Sequence, residues 1–185
     1  MSKTRAPRPD REQDFARVVV THRSALMRYG LRRLDDGSRA EDFVAETFVV
    51  VWRRFDEMPP RDEELFWLYG VAGRVLSNIR RTLQRSMRLE SRLALERELD
   101  QESPRYSAED VEELLDALGS LSSDERELIQ LAYWEKLSYR EIGVVIGCSE
   151  KAAGVRLSRA RRALRERLNQ TPASVIPMPL LLEEM

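Results

Sequence analysis

Between residues 150 and 168 stand seven lysines and arginines against two glutamates, and their spacing decides what chemistry they can do. On a helix turning about 100° per residue, Lys151, Ala152, Val155, Ser158, Arg159 and Arg162 share one face, with Arg156, Arg161 and Arg165 on its flanks. Guanidinium groups arrayed this way hydrogen-bond guanine edges in a major groove or neutralise phosphates, and the apolar Ala152 and Val155 can pack on thymine methyl groups. The chemistry is recognition of duplex DNA, with no bond made or broken. A plain solvated face is the alternative reading, but such faces tend to mix the two signs of charge.

Other chemistry finds no constellation to carry it. No nucleophile is paired with a base, no glycine-rich loop is shaped for phosphate, and no cluster has metal-ligand spacing. The expectation is a protein that is not an enzyme, with no catalytic residue, no metal, no cofactor and no small-molecule substrate. His22 is the single histidine and reads as a surface or boundary residue. Cys148 is the single cysteine, which excludes an internal disulfide and reads as packing. A reducing, cytoplasmic home fits that count. No stretch has the length of a membrane span, and the leading MSKTRAPRPD is polar where a signal peptide would be apolar.

Positioning the basic face requires a helix held from behind. Ala153, Leu157, Ala160, Leu164 and Leu168 form that apolar stripe, and Ser149 is placed to cap the helix start. Just upstream, Ser138 with Glu141 makes a capping box for a shorter helix carrying Ile142, Val145 and Ile146, which Gly147 stops. Two helices joined by a short turn, the second offering its outer face, are a helix-turn-helix. A further capping box, Ser122 with Glu125, opens a helix with Leu128, Leu131 and Ala132 on its stripe.

The remainder of the 185 residues is also helical in pattern, and 34% charge with 7% aromatic residues suits small helical bundles; the expected fold class is all-α, in two small domains. A first helix is predicted over 12–34, with Phe15, Val18, Val19, His22, Leu26, Tyr29 and Leu31 recurring, broken by Asp35-Asp36-Gly37. Ser38 is then expected to cap a helix whose stripe is Val44, Phe48, Val51, Trp52 and Phe55, with Asp42, Glu46, Val49 and Arg53 on another face, ended by Met58-Pro59-Pro60. A third helix is predicted over about 65–85. Its inner face is Leu68, Val71, Ala72, Val75, Ile79 and Leu83, and its outer face is Gly70, Arg74, Ser77, Asn78, Arg81 and Arg85. Trp67 is expected in the core. Charge is laid out in blocks, with six Arg and one Glu over 74–92 followed by twelve acids and three Arg over 95–127. That layout suggests two nucleic-acid faces separated by an acidic connector.

Together AEDFVAETFVVVWRRF, WLYGVAGRVLSNIRR and LSSDERELIQLAYWEKLSYREIGVVIGCSEKAAGVRLSRARRALRERL resemble the extracytoplasmic-function branch of the sigma-70 family of RNA polymerase sigma factors. The resemblance implies a region 2-like domain over 10–86, a linker over 87–110, a region 4-like helix-turn-helix domain over 111–169 and a tail over 170–185. It implies that Asp42, Glu46 and Arg53 bind the β′ clamp of core polymerase, with the β flap as a second contact. Arg74, Ser77, Asn78, Arg80, Arg81 and Arg85 would meet the −10 promoter element, and Lys151, Ala152, Val155, Arg156, Ser158, Arg159 and Arg162 the −35 element. An anti-sigma factor is the further partner the family suggests. The second reading, from the residues alone, is an autonomous helix-turn-helix transcriptional regulator whose first domain senses a ligand or dimerises.

Overall fold

The computed structural model describes residues 8–34, 36–83, 114 and 116–168, with backbone alone at 8–10, 82 and 83. The expected linker, the tail and Arg85 lie outside the described residues. Within them every regular element is a helix, distributed over two units that divide near residue 88.

The first unit is built from α1 (Arg8–Leu31), α2 (Gly37–Arg53) and α3 (Glu64–Leu83), with a single 3-10 turn, Phe55–Glu57, after α2. Helix α2 lies against both neighbours and buries Ala40, Phe43, Val44, Thr47, Phe48 and Val51. Opposite stand Val18, Leu26 and Tyr29 of α1 and Leu68, Val71, Ala72, Val75 and Leu76 of α3. Thr47 is tolerated there because its hydroxyl donates to the Phe43 carbonyl at 2.8 Å. The Tyr29 ring stacks on Tyr69 at 5.1 Å, and the Arg33 guanidinium covers it at 3.6 Å.

Three sequence expectations shift here. The N-cap of α2 is Asp36, which accepts from the Ser38 N–H at 2.9 Å, so Ser38 is helical and does not cap. A carboxylate beside the positive end of the helix dipole does both jobs. Phe55 leaves α2 for the 3-10 turn, where with Trp52 it packs edge-on to Phe15 at 5.7 and 4.9 Å. Leu31, at the last position of α1, is 42% exposed, and the core position passes to Leu34.

One buried ionic cluster ties the first helix to the third. Glu64, in the first turn of α3, accepts from both ends of the Arg17 fork at 2.6 and 3.0 Å and faces His22 Nε2 at 3.2 Å. His22 is therefore a boundary residue with a specific partner. The Arg17 hydrogen bonds hold the Glu64 carboxyl below its ordinary value, against burial, which pushes it up, and the His22 contact adds to the lowering. A carboxyl depressed in the folded state contributes its full stability above its unfolded value and loses it as pH falls through the folded one. Arg17→Met should thus cost about 1 to 3 kcal/mol near neutrality, because the carboxylate stays buried without its cation. The deficit should narrow as pH falls through the carboxyl's range, because protonation relieves the buried, unpaired charge. Thermal melts across an acid pH series test this, and parallel wild-type and variant curves would remove the cluster from the stability account.

The second unit contains α4 (Ser123–Tyr133), α5 (Tyr139–Ile146) and α6 (Glu150–Leu168), preceded by helical residues 116–120. Both expected capping boxes are present: Ser122 Oγ accepts from the Glu125 N–H, and Ser138 N–H donates to Glu141 Oε2 at 2.8 Å. Gly147 ends α5 at φ 70°, a left-handed conformation that favours glycine. Arg126 donates to the carbonyls of Leu118, Gly119 and Leu121 at 2.9, 2.7 and 3.2 Å, closing the C-terminal end of the preceding helix.

Candidate nucleic-acid interface

The helix-turn-helix is assembled around a glycine. A Cβ on Gly143 would stand 2.8 Å from the Cys148 carbonyl oxygen and 3.4 Å from Glu150 N, so α5 sits directly on the turn that launches α6. Ser149 Oγ accepts from the Ala152 N–H at 3.3 Å and starts the second helix, as its position suggested. The expected stripe, Ala153, Leu157, Ala160, Leu164 and Leu168, is buried against α4 and α5.

That packing turns the opposite face outward. Lys151, Arg156, Ser158, Arg159 and Arg162 are exposed, Val155 is 47% exposed, and Ala152 is half-buried beside them. Among the described residues, Arg156 and Arg159 make no ion pair, and Arg162 reaches Glu166 only at 3.7 Å between two exposed side chains. Such a pair holds an arginine weakly. The face therefore presents guanidinium groups ready to exchange water for phosphate or guanine. Arg161 differs, for it is half-buried and points back into the unit.

In the first unit, Arg74, Ser77, Asn78 and Arg81 lie exposed on the outer side of α3. Arg74 is near enough to Glu57 for its charge to help Arg54 keep that carboxyl low. Arg80 departs from this face: half-buried, it donates from Nη2 to the Arg33 carbonyl at 3.4 Å. At 100° per residue Arg80 stands well to one side of the row through 74, 77, 78 and 81, which is the physical reason. Trp67 is half-buried and not sealed in the core, with the Arg54 guanidinium 5.6 Å from its ring centre. On α2, Asp42, Glu46 and Arg53 are exposed around Val49, itself 49% exposed. The four form a charged, partly apolar strip facing away from the core.

These two units correspond to two known families of sequence. The family model for Sigma-70 region 2 matches residues 18–86, and that for Sigma-70, region 4 matches residues 111–164. The RNA polymerase sigma factor CarQ of Myxococcus xanthus is 32% identical over 90% of this chain and 96% of its own length. The ECF RNA polymerase sigma factor SigL of Mycobacterium tuberculosis is 31% identical over 80% of this chain and 85% of its own. A longer relative, the probable sigma factor RfaY of Xanthomonas campestris, is 28% identical over 86% of this chain, which spans 41% of RfaY. Among solved structures, the sigma factor RpoE of Bartonella quintana in complex with the anti-sigma factor NepR is 26% identical, covering 87% of this chain and 99% of that one at a TM-score of 0.58.

A two-unit helical chain with a helix-turn-helix in the second unit is the architecture of a small sigma factor. This chain belongs to the extracytoplasmic-function RNA polymerase sigma factors of the sigma-70 family. Membership sets aside the reading as an autonomous regulator.

Proposed function

We propose that the chain is a dissociable promoter-specificity subunit with no chemistry of its own, acting in the cytoplasm on core RNA polymerase. Its units follow the boundaries 10–86, 87–110, 111–169 and 170–185. The Asp42, Glu46 and Arg53 strip docks on the β′ clamp, the second unit reaches the β flap, and the outer face of α6 reads the −35 element. The outer face of α3, Arg74, Ser77, Asn78 and Arg81, holds the opened −10 strand together with Arg80, where a basic groove tracks an unpaired backbone, and Arg85, outside the described residues, is assigned the same role. An anti-sigma factor is its controlling partner, a reading supported by the RpoE relative's complex with the anti-sigma factor NepR.

The observation that carries this reading is the division of labour among exposed faces. Acid and apolar side chains cover much of the outer side of α2, while exposed arginines cover those of α3 and α6. A lone duplex reader has no use for the first two. The test is charge reversal at the strip: Asp42→Lys with Glu46→Lys should lower capture of core polymerase by about tenfold or more, since like charges across an interface oppose docking. DNA binding should stay at the wild-type level, because distant sites without shared partners act independently. Full retention of polymerase by the double variant in a pull-down would remove the docking role from this strip.

A further inference from the structure

Arg161 is the one arginine of the outer half of α6 that the fold turns to another purpose. Its Nη1 reaches the Tyr139 hydroxyl at 3.4 Å, its guanidinium carbon lies 5.4 Å from the centre of the Tyr133 ring, and its Nε is shut off from solvent. Tyr133 is the last residue of α4 and Tyr139 the first of α5. One side chain from the middle of α6 thus touches both ends of the connection that leads into the helix-turn-helix. Tyr139 is pressed on α6 a second time, where its ring passes the open side of Gly154.

We infer that Arg161 is a positioning residue, which through Tyr133 and Tyr139 sets the rotation of α6 about its own axis and touches no DNA itself. The inference rests on the reading of α6 as the −35 helix. The stripe of Ala153, Leu157, Ala160 and Leu164 decides which face of α6 turns inward, but apolar contacts are non-directional and leave the fine rotation to be set by other groups. A hydrogen bond and a cation–π contact are directional and supply what the stripe lacks. The stakes are geometric: rotating a helix of about 5 to 6 Å outer radius by about 20° carries a side-chain tip by about 2 Å. That displacement breaks a bidentate arginine–guanine contact. Burial pushes the Tyr133 phenol up while the Arg161 charge pulls it back, so the ring stays neutral and able to serve as a face for the cation.

The salt dependence of binding separates this role from direct contact. The probe is the duplex that the wild-type full chain enriches from a randomised pool. Arg161→Met keeps the packing stem, and it should lower affinity for that duplex about tenfold. The slope of log affinity against log salt should stay unchanged, because no phosphate contact is lost. Tyr139→Phe should reproduce much of the loss, and the double variant should be no weaker than Arg161→Met. Wild-type affinity in Arg161→Met, a slope shallower by about one phosphate contact, or simply additive losses would each overturn the inference. Arg159→Ala is measured alongside. Loss there with none at Arg161→Met sinks the positioning role alone, whereas no loss at either sinks the DNA reading of α6. If Arg161→Met fails to fold by circular dichroism, Arg161→Lys keeps the charge and stem without the planar fork that serves both tyrosines. The same affinity and slope then decide.

Discussion

Arg156→Ala and Arg159→Ala should each cost about 1 to 3 kcal/mol of affinity for a −35 duplex where the side chain meets a base edge. Both groups are exposed, neither is engaged in an ion pair among the described residues, and both project from a helix whose back is sealed by Ala153, Leu157 and Ala160. Removing them leaves the fold untouched, so the loss reports contact and nothing else. Arg162→Ala should cost less, since Arg162 already leans toward Glu166. Fluorescence anisotropy across a salt series measures all three. Unchanged affinity in the first two variants, with a native circular dichroism spectrum, would show that this face is merely solvated.

A larger loss is expected from Gly143→Val, this time through the fold. The three backbone atoms nearest a Cβ at this site belong to the turn and to the first residue of α6, at 2.8 to 3.4 Å, and backbone cannot swing aside as a side-chain tip can. Even one methyl group would force the turn to move, and the branched valine demands that α5 and α6 separate. Overpacking on this scale costs about 3 kcal/mol, a large share of the stability of so small a unit. Thermal melting of the second unit should fall sharply and −35 affinity should vanish with it. Gly154→Ala is the control: its Cβ would meet only the Tyr139 ring at 3.6 to 3.8 Å, an ordinary contact, and alanine should stabilise the helix by roughly 0.5 to 1 kcal/mol. Wild-type melting of Gly143→Val would mean that the close approach at the turn is not a constraint.

The second unit was legible in the sequence to a degree that the first was not. Ser122, Ser138, Gly147 and Ser149 are local signals, each acting within a few residues, and each does in the structure what its type and spacing announce. The stripe and the outer face of α6 follow from helical periodicity alone. In the first unit the informative contacts join residues far apart in the chain. Arg17 and His22 meet Glu64 across 47 and 42 positions, and no local pattern marks a carboxylate for burial. Arg80 and Arg161 show the same limit in miniature, since a wheel places each on a flank but cannot say that a carbonyl or a tyrosine waits there. Asp36 against Ser38 is a contest between two good caps, which the path of the chain into α2 decides.

The capping boxes have a consequence for time as well as for stability. In the second unit each of α4 and α5 carries its own start signal, Gly147 supplies a stop, and α6 packs on α5, its neighbour in the chain, and on α4, one helix further back. Few long loops must close before the core forms, so little entropy is spent in advance of the contacts that repay it. Small helical units fold in microseconds to milliseconds. A freshly synthesised copy therefore has its DNA-reading surface in place long before the ribosome has finished the next one.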